Sequence, residues 1–195
     1  MPGSDGRHPY ADTIGMHRPL VLDSCAEFIS GGFTEFNATV SDANWPATNR
    51  AKFMRIRNPR AFMPTHGYVA IGTNGADNWC VAVYKERFNG SIGTLVRVGT
   101  TGAIGGTTGI QFAFAPIVMD EPLDQGEYIL ALQITTTASS ALERRPGEGI
   151  GYHTRQMGLA VGQPSGFPLP ISFAGYGDPG VQSGLTIFGV TARLF

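Results

Sequence analysis

Between Gly67 and Thr100 the chain reads GYVAIGTNGADNWCVAVYKERFNGSIGTLVRVGT. Three short apolar runs, YVAIG, WCVAVYK and TLVRVG, are separated by breaks that each carry an Asn-Gly pair, Asn74-Gly75 and Asn89-Gly90. Asn-Gly accepts positive φ at low steric cost and so marks tight reversals between strands. The runs are short and rich in Val, Ile, Tyr and Trp, which suits strands rather than helices. In the second run Trp79, Val81 and Val83 share one face, and Cys80, Ala82 and Tyr84 share the other. Both faces are apolar, so this run is expected mid-sheet and buried on both sides. The stretch therefore predicts an antiparallel meander at the centre of an all-β domain.

Composition sets the outer bounds. A chain of 195 residues is long enough for one large domain, and it can bury a sizeable core without disulfides. Its 27 Gly and 13 Pro are dispersed among apolar runs, as in many short strands joined by special turns. Charged residues make up 15% and the net charge is −1. No basic excess is present to neutralise phosphates, so no nucleic acid is expected as a partner. A hydrophobic content of 42% alongside so little charge is compatible with a surface covered by another protein. No apolar run approaches the roughly 18–20 residues of a membrane helix, and the first residues lack the apolar segment of a secretory signal. Cys25 and Cys80 both lie in apolar segments; buried free thiols are the ordinary reading, and a disulfide is the alternative.

Residues 1–19 have no apolar period and carry several Gly and Pro residues. They read as an extended N-terminal arm, with the domain proper at 20–195. In an assembly such an arm lies over a neighbour, and Tyr10, Ile14 and Met16 are its available apolar anchors. LVLDSCAEFI and FTEFNATV are expected to be the first strands, with SDANWPATN as a linker. In RAKFMRIRNP, Lys52, Met54 and Ile56 alternate with Phe53, Arg55 and Arg57. Arg50, Lys52, Arg55, Arg57 and Arg60 form a basic cluster, read as a solvated or interface-facing strand or, more sharply, as an anion or acidic-glycan site. The Gly-rich TTGAIGGTTG reads as a flexible connection, since no Gly-Lys-Ser/Thr or helix follows it. Ile110, Phe112 and Phe114 share a face of the next run. In LDQGEYILALQIT, Tyr128, Leu130, Leu132 and Ile134 alternate with Glu127, Ile129, Ala131 and Gln133. TTASSALERRPGEGIG reads as an exposed loop, the prolines of FPLP as confining that segment to an edge or rim, and LTIFGVTARLF as a closing strand.

No catalytic constellation stands out. Four scattered histidines and no Gly-x-Ser-x-Gly elbow give no triad. No Cys/His set has zinc spacing and no calcium loop occurs, so no metal and no cofactor are expected. Asp120/Glu121 and Asp124/Glu127 flank a turn, where acidic residues are common in any case. Trp45, Tyr152, Phe167 and Tyr176 lie near loops and are candidate rings for stacking sugars; the competing reading packs them into the core or an interface.

The segments ATNRAKFMRIRNP, VAVY, GTLVRVGTTG and LDQGEYILALQ resemble the jelly-roll β-sandwich domain of tailed-bacteriophage virion proteins, which occurs among head fibres, capsid decorations and tail components. LTIFGVTARLF is similar to the closing strand of that domain. The resemblance implies an antiparallel jelly-roll-like β-sandwich and a non-enzymatic structural role in the virion, reached by assembly in the host cytoplasm. The implied partners are further copies of the chain, with a trimer favoured, and other virion proteins such as major capsid or tail proteins. A carbohydrate-binding module that recognises host-surface glycans is the alternative. The motifs are strand and turn signals and carry no catalytic residue.

Overall fold

The computed structural model describes residues 20–23, 39–45, 50–58, 61–89, 92–119, 121–138, 140–145, 156–159, 167–174, 185–186 and 188–194. All regular elements among them are strands: β1 (Leu20–Asp23), β2 (Thr39–Ala43), β3 (Ala51–Asn58), β4 (Phe62–Ile71), β5 (Ala76–Asn89), β6 (Ile92–Thr100), β7 (Ile104–Thr107), β8 (Gln111–Pro116), β9 (Val118–Met119), β10 (Gly126–Ile134), β11 (Ala141–Arg145), β12 (Gln156–Leu159), β13 (Ser172–Ala174), β14 (Leu185–Thr186) and β15 (Phe188–Leu194). The expected arm at 1–19 lies outside the described residues.

Two antiparallel sheets share one core. The first runs β1-β15-β4-β11-β14, with β2 on β11 and β8 on β4; the second runs β12-β3-β10-β5-β6-β13, with β7 on β5 and β9 on β6. Between them lie Val69, Ile71, Phe188 and Val190 from one sheet and Trp79, Val81, Val83, Leu130, Leu132 and Ile134 from the other. This is the face-to-face packing of a β-sandwich. The sheets meet closely at Gly67, where a Cβ would stand 2.8 Å from the Val81 Cβ and 2.8 Å from the Thr101 Cγ2. Glycine is needed there because the side chains of Val81, in the facing sheet, and of Thr101 occupy the space a side chain would take.

The expected meander is corrected in one link. β5 and β6 do pair, from Ala82↔Thr100 to Asn89↔Ile92, but β4 and β5 belong to different sheets. The Asn74-Gly75 turn, with Gly75 at φ 74° and its N–H on the Gly72 carbonyl at 3.0 Å, carries the chain across the sandwich. Asn-Gly reports a reversal but not whether the two arms bond to each other. Here Val69 and Ile71 face Trp79 and Val81 across the core, so the arms pack by side chains instead.

β5 lies between β10 and β6 and is buried on both faces, as its composition requires. Its second face joins Cys80, Ala82 and Tyr84 to Ala51, Phe53, Leu95, Ile129 and Ala131 on the outside of the second sheet. Leu169, fully buried, and Phe167 cover this layer. Burying a leucine stabilises by about 1.5–3 kcal/mol. Tyr84 Oη donates to the Pro170 carbonyl at 2.7 Å, and Arg97 Nη1 donates to the Leu169 carbonyl at 2.6 Å. The chain then reaches the sheet edge as β13, with Ser172 opposite Val96; FPLP itself lies over the outer face of the sheet, and only the residues that follow it take the edge position expected for the segment.

Other segments depart from expectation. ALERR is the strand β11, paired with β2 and β14, not an exposed loop. Part of the Gly-rich connection forms β7, held on β5 by Trp79 Nε1 donating to Thr107 Oγ1 at 3.0 Å. The SDANWPATN segment contributes its first residues to β2. LTIFGVTARLF, by contrast, does supply the expected closing strand: β15 lies inside its sheet, between β1 and β4.

Candidate functional site

The expected site residues scatter. Tyr10, Ile14, Met16, Tyr152 and Tyr176 lie outside the described residues. Trp45 is 2% exposed and belongs to the inter-sheet core. Its indole N–H donates to the Arg50 carbonyl at 3.1 Å, and its backbone N–H reaches the Thr137 carbonyl at 2.7 Å. A ring so enclosed offers no face for a sugar. Phe167 is half-buried and packs against the outer layer of the second sheet. The described residues therefore do not bring these aromatics together.

The basic cluster is divided as well. Lys52 is buried: its ammonium sits 5.3 Å from the Trp45 ring centroid and donates to Thr186 Oγ1 at 2.5 Å. The expectation of a solvated Lys52 is overturned, because a ring face and a hydroxyl replace part of its hydration. Arg50 is half-buried, and the side chains of Arg55, Arg57 and Arg60 lie outside the described residues. Glu121, Asp124 and Glu127 are exposed around the turn that opens β10, where the Asp124 carbonyl accepts the Tyr128 hydroxyl at 3.1 Å. Cys80 is a free thiol whose burial raises its pKa above the ordinary 9.0, the environment of an inert structural cysteine. Burial raises Tyr84 too, with the Cys80 thiol adding to the shift.

The feature that stands apart is one lateral edge. Large hydrophobics exposed among the described residues are Ile110 (64%), Phe112 (56%), Phe114 (57%), Val118 (72%) and Ile171 (69%). All of them lie on, or next to, the strands that close the two sheets on the same side. β8 flanks β4 in the first sheet. One residue later the chain becomes β9, on the outer side of β6 in the second sheet, where β13 also pairs. Ile117 N–H donates to the Thr65 carbonyl at 3.0 Å, which places the crossing between the sheets at Pro116–Val118.

Along β8 the bulky face is the outward one. Ala115 and Ile117 enter the inter-sheet core, with Ala113 packed against it. Phe112 and Phe114 stand outside, tilted against Tyr68 at centroid distances of 6.3 and 5.4 Å. The inward positions are small where the sheets approach, since Ala115 is paired with Gly67. Rings would not fit there. The alternation of the sequence groups Ile110, Phe112 and Phe114 correctly but does not say which face is covered; the run of small residues opposite was the available signal.

Chemically this edge offers apolar area and, among the described residues, β8 backbone groups that no second strand pairs. From Gly109 to Met119 there is no charged residue, and the one amide side chain, Gln111, donates its Nε2 to the Thr108 carbonyl at 2.6 Å. Such a surface suits contact with another protein better than chemistry on a small substrate. Comparison with known protein families, curated proteins and solved structures finds no match for this chain.

Proposed function

We propose that this chain is a non-enzymatic structural protein of a bacteriophage virion, a capsid decoration, head fibre or tail component acting through subunit and particle-surface contacts. The observation that carries the reading is the apolar edge of β8, β9 and β13, set on a two-sheet body buried on both faces of β5. A protein whose work is adhesion needs a rigid frame and a desolvatable surface, and the edge supplies the second. The resemblance of GTLVRVGTTG and LDQGEYILALQ to phage jelly-roll domains supplies the virion context, with a jelly-roll strand path as the finer fold. In this reading the partners are further copies of the chain and major capsid or tail proteins, the place of action is the particle, and the arm with Tyr10, Ile14 and Met16 ties neighbouring subunits. Ordering that arm costs conformational entropy and so requires the burial of such anchors.

Two measurements test this. Mass spectrometry of purified particles should find the chain at a copy number matching a symmetric assembly. Deleting residues 1–19 should leave the β-sheet circular dichroism intact and abolish particle attachment; attachment unchanged by the deletion would remove the arm from the mechanism. The glycan-binding alternative loses Trp45 to the core. Retention of the chain on host polysaccharide, or turnover of one, would replace the structural reading.

A further inference from the structure

We infer that β8 is a self-association strand: two copies of this chain pair edge to edge, antiparallel, about a two-fold axis at Ala113. The inference rests on the assembly reading above and names one of its contacts.

The direction of the backbone groups decides which residues of β8 face away from β4. Ile117 donates its N–H to Thr65 on β4, and an antiparallel ladder alternates between residues that face the partner and residues that face away. With the register Ala115↔Gly67, Phe114↔Tyr68, Ala113↔Val69 and Phe112↔Ala70, Ala115 and Ala113 bond to β4. Phe114 and Phe112 therefore point their N–H and C=O groups to the other side. Among the described residues no strand pairs there. Pro116 falls in the same outward set, and proline is tolerated in a sheet where its missing N–H faces an open edge.

The edge is complementary to itself. About an axis at Ala113, Phe112 of one copy lies opposite Phe114 of the other, and each pair exchanges both N–H···O=C bonds. Neither pair includes Pro116. The two Ala113 residues meet at the axis in a non-hydrogen-bonded position, where side chains approach most closely and a methyl group fits. On the outer face Phe112 and Phe114 of both copies form cross-strand aromatic pairs, flanked by the two Tyr68 rings, a combination favoured in sheets.

Charge selects a second copy as the occupant. In a two-fold contact the strand meets a copy of itself, Ala113 against Ala113 and Phe112 against Phe114, so a strand carrying charge of one sign would repel itself. Gly109–Met119 carries no charge. Edge strands that must stay single are blunted with lysine, inward charges or bulges, and β8 has none of these ahead of Pro116. Ile110, Val118 and Ile171, exposed on the same lateral edge, extend the apolar contact beyond the strand itself.

The test is sedimentation equilibrium of the full chain, wild type against Phe114→Lys and Phe114→Pro, with circular dichroism and thermal melting as folding controls. Phe114→Lys sets two like charges into the contact, and Phe114→Pro deletes an N–H that faces the open edge while leaving the ladder to β4 intact. The expected result is a dimer, or an even-numbered oligomer, for the wild type. Both variants should raise its dissociation constant at least tenfold with unchanged spectra. Should Phe114→Pro fail to fold, Phe114→Lys with Phe112→Lys as its companion carries the same reading. A wild-type monomer at about 100 μM, or an oligomer equally stable in the variants, would overturn the inference. So would loss of polysaccharide or capsid-protein binding in Phe114→Lys without any change in self-association, because it would give the edge to a different occupant. The assembly reading has its own readout, the presence of the wild-type chain on purified particles, and so fails or survives separately.

Discussion

β5 and β8 are both rich in large apolar residues, yet the molecule uses them in opposite ways. On β5 the rings and branched chains are enclosed on both faces: Trp79, Val81 and Val83 toward the other sheet, Cys80, Ala82 and Tyr84 beneath Leu169. On β8 the phenyl groups stand more than half exposed and only the alanines go inside. Central position explains the first, because both edges of β5 are bonded and both faces covered. Close approach of the sheets at Gly67 explains the second, because it leaves no volume for a ring. Apolar content alone thus does not distinguish residues that hold a fold together from residues available to a partner.

The contrast can be broken most severely at Trp79. Trp79→Ala removes a buried ring and its bond to Thr107, and should cost about 3–5 kcal/mol, read as a loss of urea midpoint. Gly67→Val forces a branched side chain against the Val81 Cβ. It should cost at least about 1–3 kcal/mol through overpacking, measured the same way. Tyr84→Phe deletes the hydroxyl that bonds Pro170 and should cost about 1 kcal/mol, with the 167–170 segment exchanging amide hydrogens faster.

Alkaline pH probes the same outer layer of the second sheet. Cys80 and Tyr84 are both raised above their ordinary values of 9.0 and 10.0, so the folded chain keeps protons that the unfolded chain releases. Stability is then full below about pH 9 and declines as pH rises beyond it. Urea titrations at pH 7 and pH 10.5 should show this decline, and Tyr84→Phe should flatten the part above pH 10. A flat profile would mean that water reaches the layer. The smallest effect belongs to β8: Phe112→Ser should change folding stability by less than about 1 kcal/mol. A larger loss in the melting curve would show that the exposed rings support the fold after all.

Where periodicity is strong, the chain is legible. β10 places Tyr128, Leu130, Leu132 and Ile134 in the inter-sheet core and Ile129 and Ala131 in the outer layer, as its alternation predicts. β11 was not legible, because ALERR offers one apolar pair and three charges, and its strand conformation comes from β2 and β14, far away in sequence. Lys52 was misread for a similar reason. Its hydroxyl partner, Thr186, is 134 residues away, and no local pattern announces a lysine that can be buried beside an indole. The candidate edge was half legible: the shared face of Phe112 and Phe114 was visible, but its exposure depends on Gly67 in another strand.

The crossing at Pro116–Val118 also governs how the body would carry load. A strand held by one neighbour can be peeled off one bond at a time. β8, however, continues into β9, so the same stretch of chain is anchored to Thr65 in the first sheet and opposite Thr100 in the second. A partner gripping β8 would therefore pull on both sheets together, resisted in shear by the core between them. The strand that, among the described residues, leaves one side of its backbone unpaired is thus tied to both sheets.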